Sequence, residues 1–253
     1  MEEIFLILLG LIVGSFLNVV IHRLPLEQSI VHPRSHCPFC RQIIRFYDNI
    51  PVVSYIFLGG RCRHCKSEIS VRYPLVEMFT AFSFWLSYQF YGYLPIYTAF
   101  TAGFLCILIV LALIDLQHMI LPDELTIGGA VVFLGYSFFN PAISFVDAFG
   151  SASGAALFFA AVYYFYLRVR KIEGLGHGDI KMMLLLGAFL GVQKLIVGVL
   201  LASLSGLVVG IFFIIFRRQN LRLALPFGTF LAAGSYISVF WGEQILISIQ
   251  SLY

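Results

Sequence analysis

Two aspartates and four cysteines are the residues whose types and settings in this chain can do chemistry. Asp115 closes the apolar stretch LCILIVLALID, and Asp179 opens another, standing in GLGHGDIKMM (174–183). An ionisable side chain inside a membrane span costs on the order of 3 kcal/mol on insertion scales, so each carboxylate is a functional candidate in its own right. Two carboxylates converging where water is scarce cannot both ionise, and the pair holds one shared proton. That arrangement suits an aspartic protease, in which one Asp takes a proton from water while the protonated one polarises the scissile carbonyl. It suits a proton relay in a transporter as well, the other common use of intramembrane carboxylates. Gly174, Gly176 and Gly178 lack a Cβ, so the chain ahead of Asp179 can approach an extended substrate backbone closely.

The cysteines fall in two C-x-x-C pairs, CPFC (Cys37, Cys40) and CRHC (Cys62, Cys65), with 21 residues between them. This spacing is that of a tetrahedral four-thiolate zinc site, each pair supplying two thiolates from one tight turn. Two disulfides are the alternative, which a reducing cytoplasmic compartment disfavours. His36 and His64 adjoin ligand positions and could replace one thiolate. A closed site of this kind is structural and would fold a loop of about 50 residues that has little core of its own. Cys106 lies within an apolar run and reads as a small buried hydrophobe.

The elements that must position these groups follow from composition. The chain has 253 residues, 60% hydrophobic and 11% charged, with mean hydropathy +0.93. A soluble domain would carry roughly 25% charged residues. The fold class expected is therefore an all-α polytopic membrane protein of about eight transmembrane helices, with a cytoplasmic zinc-binding loop between the first two. The spans are expected near 4–21, 73–91, 96–114, 124–140, 147–167, 181–193, 195–215 and 226–250. The sixth is short and contains glycine, so it can be tilted or begin inside the protein. The N-terminus opens with Glu2 and Glu3 rather than a basic segment, and reads as a spanning helix that stays in the protein, not as a cleaved signal. The organisation expected is a first transmembrane helix (1–21), a cytoplasmic four-cysteine loop (22–72) and a membrane peptidase core of seven spans (73–253).

Of sixteen Lys and Arg, eight fall in 22–72 (Arg23, Arg34, Arg41, Arg45, Arg61, Arg63, Lys66, Arg72). Four flank the glycine stretch (Arg168, Arg170, Lys171, Lys181), three follow the seventh span (Arg217, Arg218, Arg222), and Lys194 alone falls on the other side. The positive-inside rule makes the three rich regions cytoplasmic and puts both termini outside. Asp115 and Asp179, 64 residues apart, are thereby expected at the same cytoplasmic membrane edge. Among other polar residues, Asp123 follows Pro122 and reads as a helix N-cap. Glu77, one turn into the second span, reads as a partner for a loop arginine or as part of a site. His22, His118 and His177 have no metal-ligand spacing to one another and read as interfacial or loop residues.

Taken in order, GSFLNVVIHRLP (14–25), the paired CPFC and CRHC, NIPVVSYIFLGGRC (49–62), ISVRYPLVE (69–77), IDLQHMILPDELT (114–126), GLGHGDIKMM (174–183) and LPFGTFLAAG (225–234) resemble the motifs of the type IV prepilin peptidases, membrane aspartic proteases of the GxGD kind. The resemblance covers nearly the whole chain and maps the catalytic pair onto Asp115 and Asp179, with Gly176, Gly178 and Lys181 in the active-site loop. It implies cleavage of the basic leader of prepilins or pseudopilins at the cytoplasmic face of a bacterial inner membrane. It also implies N-methylation of the new terminus with S-adenosylmethionine, an activity associated with the cysteine loop and zinc. Expected partners are these substrates and membrane lipids, and no nucleic acid. Two departures stand out: His177 at the variable position of GxGD, and Thr229 where the family has proline. No Rossmann-type glycine-rich turn is present, so a methyl donor would bind in the loop or between spans, where Asn18 or Glu77 could take part.

Overall fold

The computed structural model describes residues 1–92, 94–140, 142–171, 176–217 and 225–251, and these are overwhelmingly helical. Gly174, Arg218 and Arg222 lie outside the described residues, and the side chains of Arg170 and Arg217 do as well. The chain forms two compact units, Met1–Val110 and Leu111–Tyr253.

In the first unit, α1 (Glu2–Arg23) pairs with α3 (Arg72–Tyr91). Small residues set the register. A Cβ on Gly10 would stand 2.6 Å from Ala81 Cα, and one on Gly14 2.7 Å from Glu77 Cα. Further along, Asn18 Nδ2 donates to the Tyr73 carbonyl at 3.1 Å, and at the far end Tyr88 donates to Glu2 at 2.8 Å. Each step of four along α1 is matched by a step of four backwards along α3, so the pair is antiparallel and the backbones touch at the glycines. In lipid this close packing, rather than a difference in apolarity, is what drives helix association. Between the two helices lie the cysteine loop and the short helix α2 (Val53–Phe57). Helix α4 (Pro95–His118) runs from this unit into the next.

The second unit holds the end of α4, then α5 (Asp123–Ser137), α6 (Phe145–Arg170), α7 (His177–Arg217) and α8 (Phe227–Gln250). Helix α7 is two arms, because Gly191 takes φ 68°, ψ 174°, a conformation that a glycine adopts without steric cost. The first arm runs antiparallel to α6: His177 meets Tyr163, and Gly187 packs on Ala152 with 2.5 Å between an added Cβ and its Cα. The second arm runs back along α8: Lys194 lies against Gly242, Gly198 against Ser235 and Gly206 against Phe230. The chain thus reverses at Gly191, which lies close to the junction of the sixth and seventh apolar runs of the sequence. Met182, Met183, Leu185 and Leu186 are all fully buried, so the first arm is the centre of this unit, apolar on every side.

Among the described residues, five helices are long and apolar enough to cross a membrane: Glu2–Leu26, Pro95–His118, Phe145–Val169, His177–Ile215 and Phe227–Gln250. Helices α3 and α5 fall outside this group, α5 because it has only 15 residues and α3 because polar residues such as Glu77, Thr80, Ser83 and Ser87 line its buried face.

Candidate active site and metal centre

Asp115 stands one turn before the end of α4 and is 5% exposed, although its neighbours Leu111 and Ile114 are wholly apolar and buried. Its partners come from α8. The Thr229 N–H donates to Asp115 Oδ2 at 2.7 Å, and the Thr229 hydroxyl lies 3.2 Å from the same oxygen and 3.0 Å from the Ala112 carbonyl. Thr229 is the third residue of α8, and its first-turn N–H, which also reaches the Pro226 carbonyl at 3.2 Å, is aimed at the carboxylate.

Asp179 is the third residue of α7 and is 6% exposed. Its Oδ2 accepts the Gly176 N–H at 3.1 Å, while its own N–H donates to the Gly176 carbonyl at 3.1 Å. This is the reciprocal half of a capping box, with an aspartate reaching back to the residue before the helix. The two groups border Leu121 from either side: Gly228 stands against both Asp115 and Leu121, and Gly178, next to Asp179, stands against Leu121.

Glycines and one leucine form the wall around them. A Cβ on Gly228 would stand 3.0 Å from both Asp115 Oδ2 and Leu121 Cδ1, one on Gly178 3.0 Å from Leu121 Cβ, and one on Gly176 3.1 Å from Asp179 Oδ2. The glycines of GxGD therefore have a close-approach role here, since a side chain at any of them would press on a carboxylate or on Leu121. Thr229, Gly228 and Leu121 were not singled out as site residues in the sequence. The signal available was Thr229 in a position where the resemblance calls for proline.

The Lys181 ammonium pairs with Asp123 Oδ1 at 2.6 Å. Asp123 was expected as a helix cap, but Pro122 occupies that position and Asp123 is the first helical residue, its carboxylate directed to Lys181 instead. His177 packs against the Tyr163 ring, centroids 4.3 Å apart.

The four cysteines are brought together as the spacing requires. Their Sγ atoms all lie within 4.8 Å of one another, and Cys37 and Cys65 are 3.8 Å apart. All are free thiols. Four sulfurs at about 2.3 Å from a central zinc would be about 3.8 Å apart, so the set fits a tetrahedral ion. The two turns repeat each other. Cys37 N–H donates to the Gln42 carbonyl and Cys62 N–H to the Ser67 carbonyl, while Arg41 and Lys66 close the turns with φ of 58° and 60°. One-residue bridges, His36 to Ile43 and Arg61 to Glu68, complete each knuckle. Arg63, beside Cys62, grips Asp48 through Nε and Nη2, and its guanidinium holds the Asp48 carboxyl below the usual carboxylate range. His36 bonds the Arg34 carbonyl rather than joining the thiol cluster.

Glu77 is buried and accepts the Val52 N–H at 2.7 Å and a hydrogen bond from Ser15, so a backbone turn takes the place of the loop arginine expected from the sequence. Asn18 is buried beside it along α1, its amide nitrogen on the Gly14 and Tyr73 carbonyls.

Two family models match the chain: the bacterial peptidase A24 N-terminal domain over residues 8–91 and the type IV leader peptidase family over residues 102–211. A prepilin leader peptidase/N-methyltransferase of Pseudomonas aeruginosa is 38% identical over 268 residues, covering 94% of this chain and 90% of that protein. One of Burkholderia pseudomallei is 36% identical over 273 residues (98% and 88%), and one of Myxococcus xanthus 44% over 209 residues (82% and 62%). No solved structure matches the chain. With the first two of these relatives 36–38% identical and covered over 88–90% of their length, the chain belongs to the type IV leader peptidase family.

Proposed function

We propose that this protein is a membrane aspartic endopeptidase that cuts the basic leader from type IV prepilins or pseudopilins and then methylates the new N-terminus. The observation that carries the peptidase reading is the pair Asp115 and Asp179, both buried and both set about Leu121, walled by residues without side chains. Thr229 holds Asp115 by Oδ2 alone, and Gly176 holds Asp179 by Oδ2 alone. Each carboxylate keeps Oδ1 for the reaction: one takes a proton from the attacking water, the other gives its proton to the scissile carbonyl oxygen. Gly176, Gly178 and Gly228 let an unwound substrate backbone lie against the pair. Lys181, tied to Asp123, braces the first turns of α7 and α5 beside the site.

The eight spans are α1, α3, α4, α5, α6, the two arms of α7 and α8. The active site faces the cytoplasm and both termini face outward, in a bacterial inner membrane. Within the second unit Lys194, paired with Glu243, lies at the end remote from the carboxylates, which supports this orientation. The division into a first helix (1–21), a zinc loop (22–72) and a peptidase core (73–253) accompanies this reading. Cys37, Cys40, Cys62 and Cys65 hold a structural zinc, which cross-links the two knuckles. S-adenosylmethionine supplies the methyl group.

The experiment is incubation of the purified protein in liposomes with a prepilin-like substrate, with and without S-adenosylmethionine, and the product masses. The expected product lacks the leader in both cases and carries one added methyl only with the donor. An intact substrate refutes the peptidase reading; a cut but never methylated product refutes the second activity.

A further inference from the structure

The segment between the two knuckles carries an apolar face that neither the dyad nor the metal uses. Val53, Ile56 and Phe57 lie on one side of α2, and Ile50, in extended backbone just ahead of it, is exposed as well. Phe57 is 86% exposed and Ile56 69%, with Ile50 and Val53 near 45% and 44%. Tyr55, in contrast, turns inward and packs on Gly60, where an added Cβ would stand 3.0 Å from its hydroxyl. The helix is thus held by its polar side and presents its apolar side outward.

Its depth is fixed by a specific tether. The Val53 N–H reaches the Pro51 carbonyl at 2.6 Å around Val52, which takes φ 61°, ψ −49°, a γ-turn conformation that is rare for a β-branched residue. The Val52 N–H is received by the buried Glu77 carboxylate. Glu77 lies five residues into α3, about 7 Å along the axis from its start. At that level α3 turns Leu75, Met78 and Phe79 outward, and its partner α1 turns Ile12 and Phe16 outward. The entry to α2 is therefore tied to a height at which both flanking helices already present apolar side chains. The surrounding loop (22–72) has eight Lys and Arg against Glu27, Asp48 and Glu68, a balance that suits anionic headgroups.

We infer that α2 is an interfacial anchor: Ile50, Val53, Ile56 and Phe57 are buried at the boundary between headgroups and acyl chains of an anionic bilayer, fastening the four-cysteine loop to the membrane surface. The inference rests on the membrane reading above and needs a test that fails separately from it. Three single-tryptophan variants of the full-length, zinc-loaded protein serve, each on a background carrying Trp85→Phe and Trp241→Phe and reconstituted in phosphatidylethanolamine–phosphatidylglycerol vesicles. Phe57→Trp reports the anchor, Ile12→Trp the span and Glu68→Trp the exposed knuckle. Fluorescence of the Phe57→Trp variant should be quenched by acyl-chain bromines at least roughly half as strongly as that of Ile12→Trp, and should resist aqueous iodide several-fold better than that of Glu68→Trp. If bromolipid quenches the Ile12→Trp variant while iodide quenches Phe57→Trp as it does Glu68→Trp, the span stands and the anchor is refuted. Shielding of the Phe57→Trp variant from both quenchers would mean that protein, a second copy or a substrate, covers this face, and that also overturns the lipid assignment.

Discussion

Thr229 shows how much one residue can decide at an aspartate dyad. Its backbone N–H and its hydroxyl both approach Asp115 Oδ2, yet the hydroxyl has one hydrogen and the Ala112 carbonyl competes for it. Thr229→Val keeps the N–H and removes the hydroxyl. Loss of a hydrogen bond worth about 1 kcal/mol predicts a fall in kcat of about fivefold with KM unchanged, and Thr229→Ser should restore it. Unchanged kcat in the Val variant would assign the hydroxyl to Ala112 instead. The shared proton has a consequence at the same scale. Cleavage must decline on the acid side, where both carboxylates are protonated, and on the alkaline side, where neither is. A flat pH–rate profile would contradict a one-proton pair. Asp115 and Asp179 were legible in the sequence because a charge inside an apolar run is conspicuous. Thr229 was not, since a threonine at the start of a helix is an ordinary residue until its partner is placed by folding.

At the scale of elements, two devices hold the structure in register. The four clustered thiols join the knuckles, which the proposed zinc would cross-link, and glycines let helices touch. Removal of zinc by a strong chelator should make residues 30–70 sensitive to protease and abolish methylation while leaving cleavage largely intact, because the dyad lies wholly within the second unit. Equal loss of both activities on chelation would tie the metal to the peptidase fold. For the glycines, Gly187→Ala places a Cβ about 2.5 Å from Ala152 Cα, so α6 and the first arm of α7 must separate. Overpacking of this kind costs about 1–3 kcal/mol, and the variant should melt several degrees lower in detergent, as followed by circular dichroism. The knuckle spacing could be read directly from the chain, because two C-x-x-C turns leave few other solutions. The anchoring of Val52 by Glu77 could not, since it depends on a backbone N–H whose orientation is set by a turn 25 residues away.

Over the whole molecule, hydropathy made the helical, membrane-suited character readable, since apolar runs are summed over many residues. The sharp reversal at Gly191 was implied only by a short, glycine-bearing sixth run, and it takes the positive φ of that one residue to turn one apolar stretch into two arms. The topology predicts that alkaline phosphatase fused after Lys194 or at the C-terminus is active, and that fusion within 30–70 or after Lys171 is not. The reverse pattern would invert the protein and move the carboxylates to the outer face. The central claim, that Asp115 and Asp179 together cut the substrate, is tested most directly by cleavage of a prepilin-like substrate by Asp115→Asn, Asp179→Asn and Asp123→Asn, each checked for folding by circular dichroism. Loss of cutting in the first two, with Asp123→Asn retaining most of it, is the predicted result. Cutting at the wild-type rate by either of the first two variants would contradict the account.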